Sequence, residues 1–409
     1  MKKKATIVFL AFLFGFCLAI PTANSQVTGK WTTTSSAGFQ GRNSFVSCVV
    51  NGKIYVIGGN ADATGALLST VQVYDPSGDA WTTLTTTGTF TPRYNLAASV
   101  VDGKIYIFGG CNDPQESNAG MVTAVEVFDP ATNVWTALQT TGTFTPRDNL
   151  CSCVVNGKIY VIGGFDGAVD LTAMEIFDPA TNAWSTPTTT GSFEQRGVFA
   201  IAVIDGKIYT LGGYDNGVLT SKTQVLDPAT NIWTTLQTTG TFTPRWAMGY
   251  GVIDDKIFLA GGGSLSGGIL NTVEVFDPST NKWSKPTATG SFSARYYFSC
   301  SVVDGKLYAI GGGAPNQVFT PASANVNTSD AEAMNIGLAP NPTVGSVTVY
   351  NAPAGAHVTI KNVLGKTVME VQNTQTSDAT LDLSNLPAGT YFARIATPNS
   401  VVTRKIVRE

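Results

Sequence analysis

Residues 52–59 read Gly-Lys-Ile-Tyr-Val-Ile-Gly-Gly, and the chain keeps returning to that phrase. The opening Gly-Lys-Ile-Tyr starts at Gly52, Gly103, Gly157 and Gly206, with variants starting at Asp255 and Gly305. Each string runs into a glycine pair: Gly58–Gly59, Gly109–Gly110, Gly163–Gly164, Gly212–Gly213, Gly261–Gly262 and Gly311–Gly312. Ten residues upstream of each string stands an arginine: Arg42, Arg93, Arg147, Arg196, Arg245 and Arg295. A period of 49–54 residues held by fixed internal spacings marks a repeat architecture.

Working outward, Asp-Pro pairs begin at Asp75, Asp129, Asp178, Asp227 and Asp277, and a tryptophan follows each six residues later. Only the segment between the glycine pair and Asp-Pro changes length, so recognition belongs on that loop. Each unit reads as four short strands broken by turn signals: in the first, Phe45–Val50, Lys53–Ile57, Val71–Tyr74 and Trp81–Leu84. The second strand is apolar on both faces, which requires sheets packed on either side. The first strand carries small residues at alternate places, such as Ala97 and Ser99 or Gly249 and Gly251, as expected where sheets converge on an axis. Four-stranded sheets repeated radially are propeller blades. The sixth unit lacks Asp-Pro and tryptophan, whereas Trp31-Thr32-Thr33 stands 11 residues before Arg42. The fold expected is therefore an all-β, six-bladed propeller over residues 26–322, closed by its N-terminal strand.

These residues resemble the kelch repeat, whose units carry the arginine, a strand ending Tyr-x-x-Gly-Gly, an aromatic-Asp-Pro turn and the tryptophan. The resemblance covers about residues 30–320. Leu226, where other units have Tyr or Phe before Asp-Pro, is a departure, as is the incomplete sixth unit.

Composition narrows the function. Glycine is 43 of 409 residues and charged residues are 13%, against ~25% in average globular chains. The single histidine, His357, excludes a metal centre needing two imidazoles, the copper-oxidase chemistry of some kelch propellers included. It also argues against a serine–histidine hydrolase. No metal and no cofactor is expected. A pI near 5.3 argues against a nucleic-acid partner.

Lys2, Lys3 and Lys4, the apolar run 5–20 and the small residues Ala23 and Ser25 have the layout of a secretory signal peptide over residues 1–25. A membrane anchor would need about 20 apolar residues, so no transmembrane segment is expected in the mature chain. Removing the leader leaves 22 basic and 28 acidic residues, a net charge of −6. It also leaves five cysteines, an odd number. Four of them sit in strands where other units carry small residues, which favours packing over a disulfide framework.

After a Ser/Asn/Ala-rich linker, residues 323–334, a run of alternating strands with no repeat motif suggests a small Ig-like β-sandwich over 335–409. Pro340-Asn341-Pro342, Gly345, the turn 362–366, Leu381 through Gly389-Thr390-Tyr391 and the terminal Lys405-Ile406-Val407 resemble a sorting domain. The family is the type A C-terminal sorting domain of the Bacteroidetes type IX secretion system. That resemblance implies the type IX machinery as a partner, and a secreted or cell-surface location.

Strand direction places the variable loops and the long Trp-to-Arg loops on one face of the disc. The residues after the arginines differ from blade to blade: Asn43, Tyr94, Asp148, Gly197, Trp246 and Tyr296. With Phe165, Asp166, Tyr214 and Asp215 just past the glycine pairs, Tyr94, Asp148, Trp246 and Tyr296 form a candidate binding surface for a glycan or protein ligand. The six arginines at the channel mouth read either as a ring facing an acidic ligand or as structural groups that hydrogen-bond neighbouring blades. An alternative is a carbohydrate-active enzyme, epimerase- or lyase-like, using an arginine and loop carboxylates such as Asp113, Glu116, Asp166, Asp170 and Asp215. No carboxylate pair has diagnostic spacing, so a non-catalytic module is preferred.

Overall fold

The computed structural model describes residues 27–113, 120–265, 267–322, 337–351, 356–362, 367–372, 378–396 and 401–409. The leader, the linker, Glu116 and residues 363–366 of the tail turn lie outside these residues.

Punctuation in the sequence sets each blade. In the first, Val46–Val50 turns at Asn51-Gly52, both in the left-handed region with φ 49° and 74°, into Lys53–Ile57. Two residues with positive φ match the twist of a tight hairpin. Val71–Asp75 and Ala80–Thr83 complete an antiparallel four-stranded sheet. Four further four-stranded sheets repeat the plan, starting at Ala97–Val101, Cys151–Val155, Ala200–Ile204 and Gly249–Ile253. The second strands are buried on both faces, as Ile54, Tyr55, Val56 and Ile57 show.

The inner strands pack in order round an axis, and Ser299–Val303 of blade 6 meets Val46–Val50 of blade 1. Small residues are required there. A Cβ on Gly249 would lie 2.4 Å from Cys300 Sγ, and one on Gly251 2.6 Å from Val302 and Leu307. The latch is the expected one: Thr28–Thr33 pairs antiparallel with Gln317–Pro321 as the fourth strand of blade 6. Trp31 is buried there between Phe292 and Phe319, ring centroids 4.7 and 5.3 Å away. A fifth strand, Thr287–Thr289, runs parallel outside it.

Residues of the tail form two further sheets. Gly337–Ala339, Ser346–Tyr350 and Ala379–Asp382 make one; Thr367–Gln372, His357–Asn362, Gly389–Ala396 and Val401–Arg408 make the other. Val347, Val349 and Leu381 from the first sheet share a core with Val358, Ile360, Ala393, Ile395 and Ile406 from the second. Asn341 donates to the Lys405 carbonyl at 2.7 Å and accepts from the Val407 N–H at 2.8 Å, tying the Pro-Asn-Pro segment to the terminal strand.

Candidate ligand-binding face

The six arginines do not form an open ring. Each is at most 1% exposed, so none offers its guanidinium to a ligand at the channel mouth. The inter-blade hydrogen bonds come from their backbone instead. The second glycine of each pair donates its N–H to the arginine carbonyl of the next blade: Gly59 to Arg93 at 2.8 Å, Gly213 to Arg245 at 2.9 Å, Gly312 to Arg42 at 3.2 Å.

The guanidinium groups stay within their own blades. Arg245 donates to the Gly261 and Thr272 carbonyls and to Glu274, the last at 2.8 Å. Arg93 and Arg147 likewise pair with Glu126 and Glu175. In the other three blades an uncharged amide takes that place: Gln72 for Arg42, Gln224 for Arg196 and Gln317 for Arg295. With no carboxylate at that position, burial draws Arg42, Arg196 and Arg295 down to about 10. Each of these partners except Gln317 stands three residues before the Asp-Pro aspartate, a regularity present in the sequence but not read from it.

Two residues past each arginine the backbone turns left-handed in every blade: Ser44, Asn95, Asn149, Val198, Ala247 and Tyr297, with φ between 48° and 55°. The N–H of each donates to the carbonyl of its counterpart in the preceding blade, at 2.9–3.0 Å, and Ser44 to Tyr297 completes the circle. This hoop of six backbone hydrogen bonds frames the channel mouth. Below it, a cavity of about 260 Å³ lies among the inner strands and includes Ser47, Ser152, Tyr250 and Cys300. The Ser47 hydroxyl bridges to those of Ser299 and Ser301, each at 2.7 Å.

The described cysteines are all thiols, Cys48 and Cys300 among them. Burial pushes Cys48, Cys151 and Cys300 up to about 12, so they stay protonated.

The candidate surface residues divide into two groups. Trp246 gathers an aromatic cluster: Tyr214 at 6.1 Å, Tyr296 at 5.8 Å and Tyr297 at 5.2 Å, the last perpendicular to it. All four rings are half-buried, with a face or edge to solvent. Tyr94 and Asp148, by contrast, are 5% and 2% exposed. Tyr94 donates to the Asp113 carbonyl, and Asp148 accepts from the amides of Asn95 and Asn149. Both are largely enclosed framework groups, although Tyr94 still reaches the cleft described below.

The loop acids are similarly engaged. Asp166 accepts from the N–H groups of Ala168 and Val169, and Asp215 from Gln195 and Asn216. Asp170 is buried and accepts from the Asn216 N–H; burial raises its pKa. Among the described residues no His/Cys/Asp/Glu group has metal-binding geometry.

A cleft of about 400 Å³ opens between blade 6 and blades 1 and 2, lined by Asn43, Asn60, Asn95, Tyr296, Tyr297 and the Gly312-Gly313 backbone among others. Its cause is a shortened loop. Blade 6 passes from its glycine pair to its third strand through Gly313–Asn316 alone, where other blades carry a longer excursion. The amides Asn60 and Asn95 and the ring of Tyr297 were not among the residues singled out from sequence. The spacing of two past each arginine would have found Asn95 and Tyr297.

Comparison with known proteins agrees with the fold. Residues 44–262 match the KLHDC2/KLHL20/DRC7 Kelch-repeats domain, and residues 247–287 and 294–335 each match the Kelch motif. Residues 338–409 match the secretion system C-terminal sorting domain, which indicates export by type IX secretion. The chain is 31% identical over 171 residues to the Kelch-like protein terF of Aspergillus terreus, covering 40% of this chain and 37% of that one. It is 34% identical over 131 residues to the Rho GTPase-activating protein gacHH of Dictyostelium discoideum, 31% of this chain and 8% of that one. Human Kelch-like protein 28 is 32% identical over 125 residues, 30% of this chain and 20% of that one. The chain thus spans well under half the length of these relatives. More than half of its residues fit one kelch-repeat domain without interruption, and the chain belongs to the kelch-repeat family.

Proposed function

We propose that this protein is an exported binding module that holds an extracellular ligand on the loop-bearing face of its propeller. The observation that carries the reading is the aromatic cluster of Trp246 with Tyr214, Tyr296 and Tyr297 at the channel mouth. Half-buried aromatic rings flanked by amides suit the apolar faces and hydroxyl edges of sugars, and equally the anchors of a protein partner. Catalysis by an arginine with loop carboxylates finds little support, since every arginine of the set is enclosed and Asp166, Asp170 and Asp215 are each engaged by protein donors. The sorting tail supplies the route to the cell surface or the medium.

A protein ligand is favoured by a separate feature. Val169, Val218, Leu265 and Ile269, on successive loops of blades 3, 4 and 5, are 45–66% exposed. Apolar tips arranged along one rim are a common protein-contact surface.

The test is a screen of the full-length protein on a broad glycan array, with Trp246→Ala alongside. Binding lost on that substitution, with the circular dichroism spectrum unchanged, supports a sugar on this face. A blank array moves the reading to the protein ligand, for which Val218→Asp and Leu265→Asp become the informative variants.

A further inference from the structure

Resting on the reading of the loop face as a binding surface, we propose that the cleft between blade 6 and blades 1 and 2 is a site for a neutral saccharide. Its lining is aromatic rings and side-chain amides. Tyr296 and Tyr297, with ring centroids 5.2 Å apart and planes at 47°, form one wall. Trp246 stands edge-on to both, at 72° and 90°, and so fixes their orientation from behind. The amides of Asn43, Asn60 and Asn95, with the ring of Tyr94, complete the lining. A pyranose presents the same division: a C–H face that packs on an aromatic ring, and equatorial hydroxyls that meet amides.

A second observation concerns the amides of that lining. The Asn60 side-chain oxygen is buried and accepts no hydrogen bond from any described residue. An unsatisfied buried acceptor costs on the order of 1–3 kcal/mol, so the Asn60 amide gains by turning toward the cleft, where a ligand hydroxyl can meet it. The other two amides are already oriented. Asn43 donates to Asp62 at 2.6 Å and Asn95 to Asp148 at 3.0 Å, so their side-chain orientations are set from outside the cleft.

Neutrality follows from what surrounds those amides. No lining side chain is charged. Arg42 and Arg295 precede Asn43 and Tyr296 of the lining, but they are buried and their donors go to carbonyls, a hydroxyl and glutamine: Gln40, Gly58, Thr70 and Gln72 for the first, Ser293, Ala309, Gly311, Pro315 and Gln317 for the second. A ligand carboxylate would find no cationic donor, and would approach Asp62 and Asp148 through the amides that bind them. A hydroxyl has neither difficulty.

The experiment titrates full-length protein with gluco-, manno- and galacto-configured neutral tetrasaccharides and with an oligouronate of matching length. Calorimetry gives the affinity, and tryptophan fluorescence reports occupancy through Trp246. The expected result is binding of a neutral oligomer, with the oligouronate weaker by about tenfold or more. Tyr296→Ala and Asn60→Ala should each weaken binding by about tenfold, as removal of a buried anchor does, while Tyr296→Phe retains it.

No neutral saccharide bound at millimolar concentration overturns the assignment while leaving a protein ligand on the face intact. So does an oligouronate that binds as well as the neutral series. Saccharide binding that survives Tyr296→Ala and Asn60→Ala but is lost with Phe165→Ala overturns the cleft and keeps the face. If Tyr296→Ala misfolds, Asn60→Ala still decides the matter.

Discussion

The amide of Ser44 donates to the carbonyl of Tyr297 at 2.9 Å, joining the first and sixth blades across a sequence separation of more than 250 residues. It is the closing member of a hoop in which five identical links join blades that are consecutive in sequence. The geometry demands a left-handed residue at each station, including Val198 at φ 48°. For a β-branched residue that conformation is strained.

Val198→Asn should therefore stabilise the propeller by about 1 kcal/mol, since Asn tolerates left-handed backbone and already serves at Asn95 and Asn149. Urea midpoints of the two proteins check this; a midpoint that falls would mean that the Val198 side chain packs more favourably than its backbone is strained.

The latch is open to a direct trial. Trp31→Ala removes a buried indole wedged between Phe292 and Phe319, and should cost about 3–5 kcal/mol. Chemical denaturation reads the loss, and limited proteolysis should cut first in blade 6. If the midpoint does not move, closure rests on the hoop rather than the strand.

Alternation of Glu and Gln opposite the buried arginines yields a graded expectation. Glu274→Gln copies the blades built with Gln72, Gln224 and Gln317, and should shift stability by less than about 1 kcal/mol. Glu274→Leu leaves the Arg245 charge enclosed with no acceptor at position 274, and should cost roughly 3–5 kcal/mol. Thermal unfolding of both variants separates the cases; equal losses would show that charge, not acceptance, holds the arginine.

Much of this was legible from spacing. The six strings beginning at Gly52 counted the blades, and Trp31 betrayed the closing strand, because both facts are periodic. Burial at the mouth was not. Tyr94 and Trp246 occupy equivalent stations after Arg93 and Arg245, yet Tyr94 sinks to 5% exposure while Trp246 stays half-buried. Which one surfaces depends on the loop of its own blade, the one segment whose length the repeat does not fix. The arginines read as structural groups and are buried as such, but their partners were not legible. Recurrence suggested contacts between blades, and those contacts exist, but the carbonyl makes them while the guanidinium turns inward to Gln or Glu. The cleft was invisible from sequence because it comes from what blade 6 lacks between Gly313 and Asn316.

The thiols set a pH dependence. Cys48, Cys151 and Cys300 have folded values near 12 against 9.0 for a free thiol, because burial disfavours the thiolate. Their contribution to stability is complete below about pH 9 and is lost as pH rises toward 12, since the unfolded chain ionises first. A chromogenic aromatic disulfide should react with these cysteines slowly at pH 8 in the native protein and at once in denaturant. Replacing the three with Ala should flatten the fall in urea midpoint above pH 9; rapid reaction of the native protein would refute the enclosure.

The strands that pair in blade 6, Thr28–Thr33 and Gln317–Pro321, are made at opposite times as the polypeptide lengthens. Blades 1 to 5 assemble from neighbouring segments, but the last sheet waits until its two halves, some hundreds of residues apart, can meet. Closure is then the pairing with the largest cost in chain entropy. A chain handed through a membrane end first would remain an open arc, threadable and unfinished, until both strands stood on the same side.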